Sequence, residues 1–157
     1  MDNHAFSLND SHNYLVNGMA QTLTNVSGNM NMTVSAVAPG TNVVLKLSNF
    51  QRIGGTFTLQ GTSTNNFIIN VSSAFSLSGS AKIVLSGGVT WDNVLFNVHG
   101  TGSDVQLNGN TSLEGILMAT KRKVGLSNMA LVKGEIIANK ISLSGSAQVI
   151  HPPVTSQ

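Results

Sequence analysis

Apolar and polar residues alternate with period two in short runs along most of this chain: "FIINV", "VLFNV", "GILMA" and "GEIIA". Gly, Ser and Asn interrupt the runs, and such punctuation predicts short strands joined by tight turns. Four segments fall into one register when their leucines are aligned: "FSLSGSAKI", "VQLNGNTSL", "VGLSNMALV" and "ISLSGSAQV". Leu77, Leu107, Leu126 and Leu143 are each preceded two positions earlier by Phe75, Val105, Val124 or Ile141. Four positions later stands a small residue (Ala81, Thr111, Ala130, Ala147), and six later an apolar one (Ile83, Leu113, Val132, Val149). The anchors recur at one coil of a solenoid, an architecture whose coils bury apolar side chains only by stacking on one another.

The fold class expected is mainly β: a right-handed parallel β-solenoid (β-helix) with one α-helix packed alongside or capping. Residues 41–150 form the coils, beginning near Asn42, and inward positions alternate with outward Ser, Asn, Gln and Lys. Two corners differ in length between coils. "GILMATKRKVGL" exceeds "GEIIANKISL" by two residues, which predicts a charged loop bulging at Lys121-Arg122-Lys123. "HGTGSD" adds residues at another corner. "SLSGSA" occurs at 76–81 and again at 142–147 and is read as the same corner of two coils. "LSNFQRIGG" and "LSNMALVKG" are matched as a repeat by Leu-Ser-Asn, an apolar residue six after the Leu and a Gly eight after it.

Residues 1–40 read differently, as an N-terminal segment of the same domain. Leu8, Leu15, Met19, Leu23 and Val26 follow a helical spacing, predicting a helix near 9–25 with Ser7, Asn9 or Ser11 as N-cap. Residues 151–157, "HPPVTSQ", cannot continue a ladder because proline has no backbone donor, and read as a tail or linker.

Composition narrows the function. Only 9% of the 157 residues are charged, the net charge is +2, and no basic stripe exists for nucleic acid. No cysteine is present, which removes disulfides and thiolate metal sites. No apolar run reaches the length of a membrane span, so no membrane insertion is expected in this segment.

Candidate chemistry is sparse. His99, Ser103 and Asp104 share the "HGTGSD" loop, a nominal Ser/His/Asp trio within one short stretch, where a loop role outweighs catalysis. Acids are too few for a hard-cation site. No catalytic residue, metal site or cofactor is expected, and the chain reads as no enzyme. The loop residues His99, Ser103, Asp104, Lys121, Arg122 and Lys123 are the candidate contacts for a ligand. Trp91 is read as a core or corner plug rather than a sugar platform.

The segments "NFIINVSS", "WDNVLFNV", "SLEGILMA" and "VKGEIIA" resemble the bacterial choice-of-anchor A family of exported adhesive domains. That resemblance implies a non-enzymatic module at the cell surface or secreted, binding a surface protein or glycan, or further copies of itself. The family's early coils and anchor are unmatched, which implies a fragment or a shortened variant. The Gly-x-x-x-Ala coils also resemble the ice-binding β-solenoids, which carry a helix alongside. Thr56, Thr58, Thr62 and Thr64 are the candidate ice-facing residues, although no repeating Thr row emerges from the later coils. A subunit of an extracellular filament assembled end to end is a third reading.

Overall fold

The computed structural model describes residues 6–8, 13–16, 21–29, 31–36 and 38–153. They form fourteen strands and one 3-10 turn, and every strand pairing is parallel. The strands are β1 (Phe6–Leu8), β2 (Asn13–Val16), β3 (Gln21–Gly28), β4 (Met32–Ala36), β5 (Asn42–Arg52), β6 (Thr56–Gln60) and β7 (Asn66–Val71). After them come β8 (Phe75–Leu77), β9 (Lys82–Ser86), β10 (Val94–Val98), β11 (Val105–Gly109), β12 (Ser112–Asn128), β13 (Leu131–Leu143) and β14 (Gln148–Ile150). The parallel ladder joins each strand to one a full coil away, which is the β-solenoid expected.

Three faces result. Face A stacks the first half of β5, then β7, β10 and the middle segments of β12 and β13. Face B stacks the second half of β5, then β8, β11 and the last segments of β12 and β13. Face C stacks β4, β6, β9, the starts of β12 and β13, and β14. The aligned leucines lie in one column of face B, where Leu77 pairs with Leu107, Leu107 with Leu126 and Leu126 with Leu143. Coil length is not fixed. It runs to 30 residues between Leu77 and Leu107 and falls to 17 between Leu126 and Leu143.

Inward alternation builds a continuous core. Val43, Leu45 and Leu47 are buried under Phe67, Ile69 and Val71 of the next coil. Phe50 and Phe75, paired across adjacent coils, stack with centroids 5.2 Å apart, and Phe57 meets Phe50 edge-on at 5.1 Å. Each such ring contributes about 2–3 kcal/mol by burial and each pair about 1 kcal/mol more.

Four expectations are corrected. No helix occupies 9–25 among the described residues: β2 and β3 are extended and pair with β4 and β5, and residues 9–12 and 17–20 lie outside the described set. Spacings of four residues satisfy period two as well as a helical turn, and the Gln21-Thr-Leu-Thr alternation with its ladder partners decides for strand. Stacking does not begin at Asn42 either, since β1 to β4 already belong to the ladder. "LSNFQRIGG" and "LSNMALVKG" are not equivalent: Leu47 pairs with Val71 on face A, Leu126 with Leu107 on face B. Finally, Lys121-Arg122-Lys123 does not bulge as a loop but continues β12. The two extra residues are absorbed as an irregularity between Ala119 and Lys123 opposite β13.

Tight corners explain the shorter late coils. Gly115 and Gly134 turn from face C to face A with φ near +142° and +141°. A Cβ on Gly134 would lie 2.1 Å from the Gly115 carbonyl oxygen and 3.2 Å from the Trp91 ring. Only glycine permits that approach. Trp91, 9% exposed, covers this corner from the 3-10 turn Trp91–Asn93. Among the described residues no helix is long and apolar enough to cross a membrane.

Candidate functional site: face A

Face A carries three outward rows. Asn42, Asn66 and Asn93 form the first, linked by amide hydrogen bonds: Asn66 Nδ2 donates to Asn42 Oδ1 at 3.1 Å, and Asn93 Nδ2 to Asn66 Oδ1 at 3.3 Å. Val44, Ile68, Leu95 and Ile116 form the second, each half-buried between its neighbours and in register from coil to coil. The third is Lys46, Asn70, Asn97, Met118 and Ile137, in which Asn97 Nδ2 donates to Asn70 Oδ1 at 2.8 Å. Parallel pairing sets the spacing between coils at about 4.8 Å. Most side chains of the middle row are β-branched and stiff at χ1, and the ladders hold the amides. Charge stands only at the limits, Lys46 on the first of these coils and Glu135 on the last.

This apolar row was not foreseen. In "FIINV" and "VLFNV" outward Ile68 and Leu95 lie between inward neighbours, so the runs resemble strands buried on both faces. The signal available was the residue on either side: Asn66 and Asn70, Asn93 and Asn97, which share the outward parity of Ile68 and Leu95.

The other faces differ. The central outward row of face B is Ser27, Gln51, Ser76, Gln106, Gly125 and Ser142, polar and uncharged but with exposed, flexible glutamines. Its edge holds an asparagine pair, Asn49 Nδ2 to Asn25 Oδ1 at 2.6 Å. Face C sets Thr33 beside Thr58 and Thr58 beside Val84, but Lys82 and Lys133 are exposed on it, and Lys133 pairs with Glu114 at 3.0 Å. Charged groups hold their own hydration shells and interrupt a regular surface.

The four candidate threonines do not share a plane. Thr56 and Thr58 point outward from β6 on face C. Thr62 and Thr64 sit in the following corner, where their hydroxyls meet at 2.9 Å and Asn65 Oδ1 accepts from the Thr62 backbone at 2.8 Å. Asn65 is buried and also donates to the Ala38 and Thr41 carbonyls, so this corner is a stacked turn.

The loop candidates resolve into a structural knot. Arg122 is not displayed: it is 2% exposed, inward-pointing, and its guanidinium donates to five backbone carbonyls. Nε reaches Gly100 at 3.2 Å, and Nη2 reaches His99 at 2.9 Å and Ser72 at 3.1 Å. Nη1 reaches Ser103 at 3.4 Å and also Ser73. The alternation that buries Val124 also buries Arg122, and leaves Lys121 exposed and Lys123 outward. Lys123 meets Asp104 at 3.8 Å across the corner, largely in solvent. Among the described residues no hydrogen bond joins the Ser103 hydroxyl, the His99 ring and the Asp104 carboxylate, so the nominal trio is not assembled. No group of three His, Asp or Glu side chains able to hold a metal occurs among the described residues.

A second buried arginine escaped the sequence reading. Arg52 occupies the column of Leu77, is 1% exposed, and donates to the carbonyls of Ser27 at 3.2 Å and Gly54 at 3.3 Å. Desolvation by burial lowers its pKa from the ordinary arginine value.

No curated protein matches this sequence. A family match does exist, to the ice-binding-like family over residues 9–149. It agrees with the second of the two resemblances drawn from the Gly-x-x-x-Ala coils, not with the choice-of-anchor A family. Spanning nearly the whole solenoid, the match establishes that this chain belongs to the ice-binding-like family.

Proposed function

We propose that the protein binds ice, through face A and without catalysis, and that it does so outside the cell. Adsorption to ice requires a flat, rigid, weakly charged surface that orders water in register. Rows of amides flanking an aliphatic row meet that requirement. The amides anchor water by hydrogen bonds, and the methyl groups exclude competing ones. The observation that carries the reading is the unbroken register of Val44, Ile68 and Leu95 between the Asn42–Asn66–Asn93 ladder and the Asn70–Asn97 pair. Family membership supports the target, and the absence of charge in the middle of face A supports the choice of face.

The test is uptake into slowly growing polycrystalline ice from a dilute, fluorescently labelled solution. The wild-type chain enters the ice. The double variant Ile68→Lys/Leu95→Lys is excluded while keeping its β-sheet circular dichroism. Exclusion of the wild-type chain itself removes the proposal.

A further inference from the structure

Three successive coils of face A share one outward frame. "NVVLK" (42–46) in β5, "NFIIN" (66–70) in β7 and "NVLFN" (93–97) in β10 lie in register. Asn42, Asn66 and Asn93 therefore stack along one edge, and Lys46, Asn70 and Asn97 along the other. Lys46 is the single departure from this paired frame. The first row holds three amides joined at 3.1 and 3.3 Å, whereas the second has only the Asn70–Asn97 bond at 2.8 Å. The sheet does not end at Lys46, because Thr22 of β3 is its ladder partner one coil earlier. The amide row thus stops at a side chain, not at the limit of the sheet. Unlike Lys123 and Lys133, which meet Asp104 and Glu114, the exposed Lys46 has no carboxylate or hydrogen-bond partner among the described residues.

We propose that Lys46 limits the strength of adsorption on face A: its ammonium holds the second amide row to two members and keeps ice from the β5 end of the face. This rests on the ice-binding reading and names the side chain that restrains it. An ammonium is a compact, strongly hydrated charge on a flexible stem. Beside Asn70 it keeps its own water shell in place of the water that the amides order. Its stem also loses rotamer freedom when the face is pressed against a solid. An asparagine at this position stands at the same step from Asn70 as Asn42 from Asn66, and continues the row with the backbone unmoved.

Thermal hysteresis at equal molar concentration tests this on the wild type, Lys46→Asn and Lys46→Thr. Lys82→Asn, at an exposed position on face C, is the control of equal charge change. Lys46→Asn is expected to exceed the wild type about twofold or more, Lys46→Thr to exceed it by less, and Lys82→Asn to match it. Circular dichroism stays as in the wild type, since residue 46 is exposed, asparagine already occupies the row, and threonine favours strand. Equal or lower hysteresis in both Lys46 variants, beside an active wild type, overturns this inference and leaves the ice-binding reading in place. An equal rise in Lys82→Asn assigns the effect to net charge and also overturns it. Absence of hysteresis from every chain overturns the ice-binding reading and this inference together.

Discussion

Arg122 donates to the carbonyl of His99, one coil earlier, at 2.9 Å, and the same guanidinium reaches Ser72 of the coil before that at 3.1 Å. One side chain therefore closes the corner between β10 and β11 across three coils. The "HGTGSD" insertion is a folded cap over a buried cation, not a freely presented loop.

Arg122→Leu should accordingly cost about 3 kcal/mol or more, because it removes a buried guanidinium that donates to five backbone carbonyls of three coils. Arg122→Lys should recover only a minor part, since an ammonium cannot span the same fork. Urea unfolding monitored by circular dichroism measures both. Equal stability of Arg122→Leu and wild type would show that the carbonyls find other donors.

Arg52→Leu should be much milder than Arg122→Leu. Its column already holds Leu77 and Leu107, so a leucine fits the space, and the substitution removes a desolvated charge whose pKa burial has lowered. Side-by-side denaturation of the two variants orders them. A larger loss for Arg52→Leu would contradict this assignment.

Gly134→Ala should destabilise by about 2–4 kcal/mol, combining an unfavourable φ with a Cβ pressed on the Gly115 carbonyl. Gly40→Ala has positive φ, +73°, but open space around the added methyl, and should cost about 1 kcal/mol. The gap between the two thermal midpoints isolates the close approach of coils at the face C to face A corner.

The face B column was legible in the sequence because inward leucines and their small followers sit at the same offsets in each coil, whatever the coil length. The first coils were not. Leu15, Met19 and Leu23 are separated by even steps, which a strand alternation and a helical turn both satisfy, and the ladder with β4 and β5 decides between them. Arg122 was hidden for a different reason: between two lysines it reads as surface, and only its shared parity with Val124 marks it as inward. Face A was hidden by its own hydrophobicity. Outward Ile68 between Phe67 and Ile69 looks like core until the asparagines flanking the run are counted as one row each.

Thermal hysteresis is the direct measurement of the central claim, made on the wild-type chain and two variants of equal charge change. The account predicts hysteresis with shaped ice crystals for the wild type, its loss in Ile68→Lys on face A, and its retention in Gln106→Lys on face B. Absence of hysteresis and of ice shaping in the wild type, or loss in Gln106→Lys with retention in Ile68→Lys, would contradict it.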